Sequence, residues 1–452
     1  MKTLFLFICL IQTIIVSAQF SDSKPITTTA DGVRWVANAD IDGDGYQDII
    51  TANRFGSDVS WYKNNESISF NEIQIGVLNQ TSMVATGDLD GDGDVDIIAS
   101  SIPDHLIVWY ENLDGEGNFG SRIIISNTAL SPFFFLLIED IDADGDLDIM
   151  SSGDASRIEW YENLDSQATF GSAIIIDSTI SSSRSLIMED IDSDGDLDLV
   201  SDSTGKVNIY WLENNDGFGN FGIKNAIGGN GLAASRIRAA DFDGDGDIDI
   251  LGVYLALDKF VWYENIDGLG NFGDEKIISS TDNPSGVALA DFDNDNDVDI
   301  LTSSVNSPTL KWYENLNGLG SFGDQQEIET EFAGSKCLAV DIDNDGDIDA
   351  VRASQNDDTI VWYENLLILN NPEKQLNTIK IHPNPADTAL FIKSGDSDTL
   401  AQMNVTSILG NNIWHSKTFQ HKIDIENWAS SIYFLEIKNN TGQKKVFKIV
   451  KK

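Results

Sequence analysis

The sequence predicts an all-β chain, a seven-bladed β-propeller followed by a small Ig-like β-sandwich. Three observations carry this. A D-x-D-x-D motif begins at Asp40, Asp88, Asp140, Asp190, Asp241, Asp291 and Asp341, so the chain repeats seven times at intervals of 48 to 52 residues. A second landmark, W-Y-E-N or a close variant, begins at Trp61, Trp109, Trp160, Trp211, Trp262, Trp312 and Trp362. Composition then shifts after residue 366, from strongly acidic to basic.

A period near 50 residues means a solenoid or a propeller. The content of each unit decides between them. In the second unit, Met83–Gly87 leads into the aspartate loop, then Val95–Ser100, Leu106–Tyr110 and Arg122–Ile125 follow. These are four short β-type runs divided by turn residues, with no helical period. Four strands per unit and seven units give a propeller, in which radial repetition protects the sheet edges.

The ends of the repeat predict a closed ring. The last unit stops at Trp362-Tyr363-Glu364-Asn365 and lacks its fourth strand. The missing piece stands at the other end: Phe20–Ile26 aligns with Phe272–Ile278. The N-terminal segment is therefore expected to complete the last blade.

Each aspartate loop reads D-x-D-x-D-G-x-x-D, with Asn296 in place of glycine in the sixth. The expected metal ligands are Asp40, Asp42, Asp44 and Asp48 in the first blade, then Asp88, Asp90, Asp92 and Asp96, and Asp140, Asp142, Asp144 and Asp148. They continue with Asp190, Asp192, Asp194 and Asp198, Asp241, Asp243, Asp245 and Asp249, Asp291, Asp293, Asp295 and Asp299, and Asp341, Asp343, Asp345 and Asp349. Alternating carboxylates on a tight loop supply the hard oxygens that calcium takes, so up to seven calcium ions are expected. The glycine serves a backbone turn with positive φ, and asparagine is the next best residue for it. An EF-hand would need an acid at the twelfth position; Thr51, Ala99, Ser151, Ser201, Gly252, Thr302 and Arg352 stand there.

These repeats resemble the FG-GAP or VCBS-type propellers, which include the integrin α-subunit propeller. The resemblance covers residues 20 to 366 and implies calcium between the first two strands of a blade, with adhesion or ligand binding as the usual task. The recurring Trp and Tyr are assigned to the wedge between blades rather than to sugar stacking. The repeated Glu111, Glu162, Glu213, Glu264, Glu314 and Glu364 are assigned to structure too. Lys63 departs from them in the first blade.

The termini speak of export. Lys2, an apolar run from Leu4 to Val16 and Val16-Ser17-Ala18 read as a signal peptide, residues 1–18, too short to span a bilayer. Beyond a linker at 367–377, residues 378–452 hold ten lysines against six acids and about seven β-type runs. His382-Pro383-Asn384-Pro385-Ala386-Asp387, Ile408-Leu409-Gly410, Ile423-Asp424-Ile425 and Ile432-Tyr433-Phe434-Leu435 resemble the type A sorting domain of type IX secretion. Ser431 departs from the glycine usual there. The resemblance implies recognition by the secretion machinery and a protein secreted or attached to the outer cell surface.

The formal net charge is −46, from 74 acids and 28 bases, which argues against nucleic acid and anionic membranes as partners. No segment is long enough to span a membrane; Pro132–Ile138, the greasiest run, suits a buried strand. Of four histidines, three lie after residue 366 and only His105 lies in the repeats; Cys337 is the single thiol outside the leader. No Ser-His, Cys-His or zinc spacing occurs among residues 19–366, so no catalytic residues are expected. The expected function is a binding or adhesion module for glycan or protein ligands; the alternative is a secreted polysaccharide lyase or glycosidase built on carboxylates.

One place breaks the repeat. Five or six residues before the first loop aspartate stand Arg34 and Trp35, Ser82 and Met83, Phe134 and Phe135, Arg184 and Ser185, Ser235 and Arg236, Ser285 and Gly286, Ser335 and Lys336. Residues 19–366 hold only 16 bases, and four of them are here. Arg34, Trp35, Phe135, Arg184, Arg236 and Lys336 are the expected ligand-binding residues, because Arg takes anions bidentately and Trp stacks on sugars.

Overall fold

The computed structural model describes residues 19–67, 69–128, 135–153, 157–180, 182–203, 209–228, 234–280, 284–304, 309–328, 334, 336–367, 380–382, 385–386, 388–393, 400–408, 411–439 and 444–452. The leader at 1–18, Phe134, Ser335 and most of the 367–377 linker lie outside them, as do Pro383, Asn384, Leu409 and Gly410. The chain divides into Phe20–Asn365 and a second compact unit that holds Leu366–Lys452.

The first unit consists of seven four-stranded antiparallel sheets. In each, a strand leads into the aspartate loop, the next returns from it, the third carries the tryptophan, and the fourth is outermost. The second blade runs Thr81–Gly87, Asp96–Ser101, Leu106–Tyr110 and Ile123–Ser126. Second strands are buried along their whole length, as Asp96–Ser101 is, which suits a sheet covered on both faces. Fourth strands are largely exposed, as Ile123 and Ile124 are.

The innermost strands touch in cyclic order. Val33–Ala39 meets Thr81–Gly87, and contact passes through Phe135–Glu139, Leu186–Glu189, Arg236–Ala240 and Pro284–Ala290 to Lys336–Val340, which meets Val33–Ala39 again. The last sheet is completed by Lys24–Thr27, which pairs antiparallel with Thr359–Tyr363. Phe20 bridges Asn365, and the Ser21 amide donates to the Glu364 carbonyl at 2.8 Å. The N-terminal strand thus closes the ring, as the truncated seventh repeat predicts.

The cores lie between blades. Trp61 and Val59 pack with Ile97, Val108 and Tyr110 of the next blade, while Ile26, Val33 and Tyr62 share a core with Val351 and Trp362 across the closure. Burying each such side chain is worth roughly 1.5–3 kcal/mol. Four of the landmark tryptophans also shape a glycine in the next blade. At Gly117, Gly219, Gly270 and Gly320 φ is positive, and an added Cβ would fall 2.2–2.5 Å from the ring of Trp61, Trp160, Trp211 or Trp262.

The asparagine of W-Y-E-N has a task that spacing did not reveal. Asn112 Nδ2 donates to the carbonyl of Ile41 in the preceding blade at 2.9 Å. The same bond joins Asn163 to Leu89, Asn214 to Ile141, Asn265 to Ile191, Asn315 to Phe242 and Asn365 to Phe292. Asn64 reaches Ile342 at 2.7 Å, so the chain of staples closes with the ring.

The second unit has two sheets. Lys380–His382, Ala389–Lys393 and Lys422–Asp424 form one; Asn412–Ser416, Leu400–Ser407, Ser431–Asn439 and Lys444–Lys451 form the other. Leu390, Ile392 and Ile423 of the first pack with Met403, Val405, Leu435 and Ile437 of the second, as in a β-sandwich. Among the described residues no helix is long and apolar enough to cross a membrane.

Candidate functional site

Two places carry chemistry in the propeller, the aspartate loops and the opposite ends of the innermost strands. In the loops the first aspartate organises the turn. Asp40 Oδ1 accepts the Asp44 amide at 3.1 Å and Oδ2 the Gly45 amide at 2.9 Å; Asp341 does the same with Asp345 and Gly346. The glycine is there for its backbone. At Gly45, Gly93, Gly145, Gly195, Gly246 and Gly346 φ lies between +92° and +100° while an added Cβ would meet nothing within 4 Å at the first five. Asn296 takes φ +74° in the sixth loop, as predicted.

The ninth-position aspartate is buried and ties the loop to the landmark. Asp96 Oδ2 accepts the Leu89 amide at 3.2 Å and Oδ1 accepts the Asn112 amide at 2.8 Å. Burial pushes these carboxyls up, to about 6 for Asp48, about 7 for Asp96, Asp148, Asp198, Asp249 and Asp299, and about 8 for Asp349.

The third-position aspartate is the telling one. Oδ1 of Asp42, Asp90, Asp142, Asp192, Asp243 and Asp343 is buried without a hydrogen-bond partner in the protein. A buried, unpaired carboxylate oxygen is costly, and recurrence in six blades is a design rather than an accident. Oxygens of Asp40, Asp42 and Asp48 lie within 4.8 Å of one another, as do those of Asp88, Asp90 and Asp96, and of Asp241, Asp243 and Asp249. In the third and fourth loops Asp140, Asp142 and Asp144, and Asp190, Asp192 and Asp194, form the groups. These donor sets fit a hard divalent cation.

The landmark glutamates belong to this site as well. Glu111, Glu162, Glu213, Glu264, Glu314 and Glu364 each press negative charge on the third-position aspartate of their own loop, raising its pKa behind burial. Strand register places them there: Ile97 pairs with Tyr110, which sets Glu111 beside the loop mouth. In the first blade Lys63 takes the glutamate's position, and its ammonium pairs with Asp42 Oδ2.

At the other end, the structure gathers four of the six expected ligand residues on one ring. Trp35 has Lys336 Nζ 4.6 Å and Arg236 Cζ 5.3 Å from its ring centroid, and Phe135 meets it edge-on at 5.7 Å. Trp35 is thus engaged by cations and Phe135. Arg184 stands just before Leu186–Glu189 and is exposed; its carbonyl accepts from Arg236 Nη1 at 3.4 Å. Arg34 precedes Trp35, half-buried, with its pKa lowered by burial and by Arg54.

Arg238 joins this group and was missed, although it sits two residues beyond Arg236 on the same strand. Burial pushes Arg236 down to about 10, helped by Arg238, Arg184 and Arg34 and opposed by Asp202. Lys336 is held well below the usual lysine range by burial, then by Arg236, Arg34 and Arg238. Among the described residues the carboxylate drawn into the group is Asp202, which is fully buried and accepts the Arg184 and Ser185 amides at 2.7 and 2.8 Å. Cys337 is buried, and burial pushes its thiol up to about 11, which disfavours the thiolate.

The fold and its loops define a class, a β-propeller of aspartate-rich repeats. Residues 40–99, 140–201 and 190–252 match the FG-GAP-like repeat family, and residues 380–452 match the secretion system C-terminal sorting domain. The chain carries FG-GAP-like repeats and a type IX sorting domain, and the sorting domain marks it for export to the cell surface or extracellular space. No match was found among curated proteins. Two crystal structures of BBS1N in complex with ARL6DN, soaked with mercury and with lead, are similar at a TM-score of 0.53 and 10% identity. They cover 77% of this chain and 97% and 98% of theirs, a likeness in fold alone.

Proposed function

We propose that this chain is a calcium-binding propeller, exported by type IX secretion, that acts as a binding or adhesion module for glycan or protein ligands. In this reading residues 1–18 are a signal peptide, 19–366 the propeller, 367–377 a linker, and 378–452 the part read by the secretion machinery. The observation that carries the calcium reading is the buried, unpartnered Oδ1 repeated at Asp42, Asp90, Asp142, Asp192, Asp243 and Asp343. The first, third, fifth and ninth aspartates of each loop would hold the ion, most weakly in the first, where Lys63 pairs with Asp42. The bound ion supplies positive charge that pairs the buried oxygens and offsets the net −46.

The ligand face is the basic end around Trp35. The loops stiffen the blades, and the non-repeating residues at the strand starts do the recognising. Both matched families are non-enzymatic, which supports binding over catalysis. The test is a glycan and host-protein binding screen of residues 19–366 with and without calcium, followed by Arg184→Ala with Arg236→Ala against the ligand found. Calcium-dependent binding lost in the double variant is expected. A screen that finds no ligand while a polysaccharide panel is degraded would overturn the reading.

A further inference from the structure

The basic end of the ring has more structure than a general binding face. Three blades contribute to it. Val33–Ala39 brings Arg34 and Trp35, Arg236–Ala240 brings Arg236 and Arg238, and Lys336–Val340 brings Lys336. The cations converge although they repel: Arg236 and Lys336 both lie against the Trp35 ring. Among the described residues, no carboxylate forms an ion pair with Arg236, Arg238 or Lys336. Arg236 donates to the main-chain carbonyls of Arg184 and Ser235, and Arg238 to that of Ile237.

This is unusual in a molecule with 74 acids. Elsewhere in the propeller a lysine finds a carboxylate, as Lys24 finds Glu364, Lys224 finds Asp177 and Lys259 finds Glu275. Half-buried cations held together with Asp202 as their nearby counter-charge still outnumber it, and such an excess is destabilising unless a ligand completes them. Fixed guanidinium forks beside an ammonium match planar carboxylate and tetrahedral sulfate oxygens.

We propose that Arg236, Arg238 and Lys336, with Arg34 and Arg184 at the rim, form an oxyanion site on the ring axis that takes carboxylate or sulfate groups, free or carried on a sugar. The aromatic pair Trp35 and Phe135 holds the cations in place by cation–π contact and lends no separate stacking surface. This inference rests on the binding-module reading and names the ligand chemistry for its basic end.

The experiment titrates the full mature chain, calcium-loaded, with inorganic sulfate, trigalacturonate and neutral maltotriose at constant ionic strength, read by calorimetry. Sulfate and trigalacturonate are expected to bind and maltotriose to give no heat. Tighter trigalacturonate than sulfate would mean that the sugar-borne acid is the better source, and the reverse the free anion; both support the site. Lys336→Gln and Arg236→Gln should each weaken binding about tenfold or more. Lys336→Arg should keep it. Lys336→Gln removes a repelled, desolvated charge, so its melting temperature should not fall, which separates lost binding from lost folding. Absence of sulfate and trigalacturonate binding, or binding by both glutamine variants as tight as that of the parent, would overturn the proposal. A neutral ligand emerging from the binding screen would then leave the broader module reading standing.

Discussion

The ammonium of Lys63 pairs with the carboxylate of Asp42, in the one blade where lysine replaces the landmark glutamate. Asp42 is only 4% exposed, and the same ammonium stands 4.0 Å from Asp44 Oδ2. The first loop thus carries a tethered cation where the other six carry an added acid. It should hold calcium weakly or not at all, and metal analysis after dialysis should count six ions rather than seven. Lys63→Glu restores the common pattern and should raise the count by one. It should also lower the melting temperature of the chelated protein, since the internal counter-charge is gone. A wild-type count equal to that of Lys63→Glu would refute this.

The buried ninth-position aspartates set a pH dependence for the chelated protein. Their folded pKa values, about 6 to about 8, lie above the ordinary carboxylate value near 4. A raised folded pKa contributes stability that is fully present below the unfolded value and is lost as pH rises through the folded one. The EDTA-treated chain should therefore melt at higher temperature at pH 5 than at pH 8. Calcium holds the same carboxylates ionised, so the calcium-loaded chain should show the opposite slope above pH 5. His105 is the only histidine among residues 19–366, which leaves the aspartates as the source of a transition near neutrality. Parallel slopes with and without EDTA would separate these groups from metal binding.

Two glycines allow backbone and space to be told apart. Gly246 has φ +95° and open space around an added Cβ, so Gly246→Ala should cost only the backbone term, roughly 1–2 kcal/mol. Gly270 has φ +73°, and its Cβ would lie 2.2 Å from Trp211 Cζ2. Gly270→Ala must also displace a buried tryptophan and should cost more than Gly246→Ala in urea unfolding. Asn265→Ala, which leaves the buried Ile191 carbonyl without its donor, should cost roughly 1–3 kcal/mol. Equal losses at the two glycines would mean that the Trp211 contact relaxes freely.

Much of this was legible because the chain repeats. Seven copies of D-x-D-x-D-G-x-x-D separate ligand-type aspartates from ordinary acidic turns, and the alternation after each loop excludes a helix. What was not legible depends on register and on neighbouring blades. Glu111 stands in sequence beside packing aromatics, and only the Ile97–Tyr110 pairing brings it to the loop mouth. The Asn112 staple reaches Ile41, 71 residues away, and no local pattern points there. Trp35 read as a stacking surface for sugar; the ring brings Arg236 and Lys336 onto it from blades 201 and 301 positions further along the chain.

The closure of the ring is the feature most open to a direct cut. Lys24–Thr27 covers the outer edge of Thr359–Tyr363, and Phe20 packs edge-on against Phe292 and Trp312 with centroids 6.0 and 6.4 Å away. Lys24 adds a cation–π contact at 4.3 Å to Trp362 and an ion pair with Glu364. Removing residues 19–28 would bare the backbone of Thr359–Tyr363 and uncover Trp312 together. An unpaired strand edge beside exposed apolar surface templates association between chains. The truncated chain should elute as oligomers, unfold over a broader denaturant range, and recover a sharp transition when a peptide of residues 19–28 is added in excess. A monomer as stable as the parent would mean that the seventh sheet stands without its N-terminal strand.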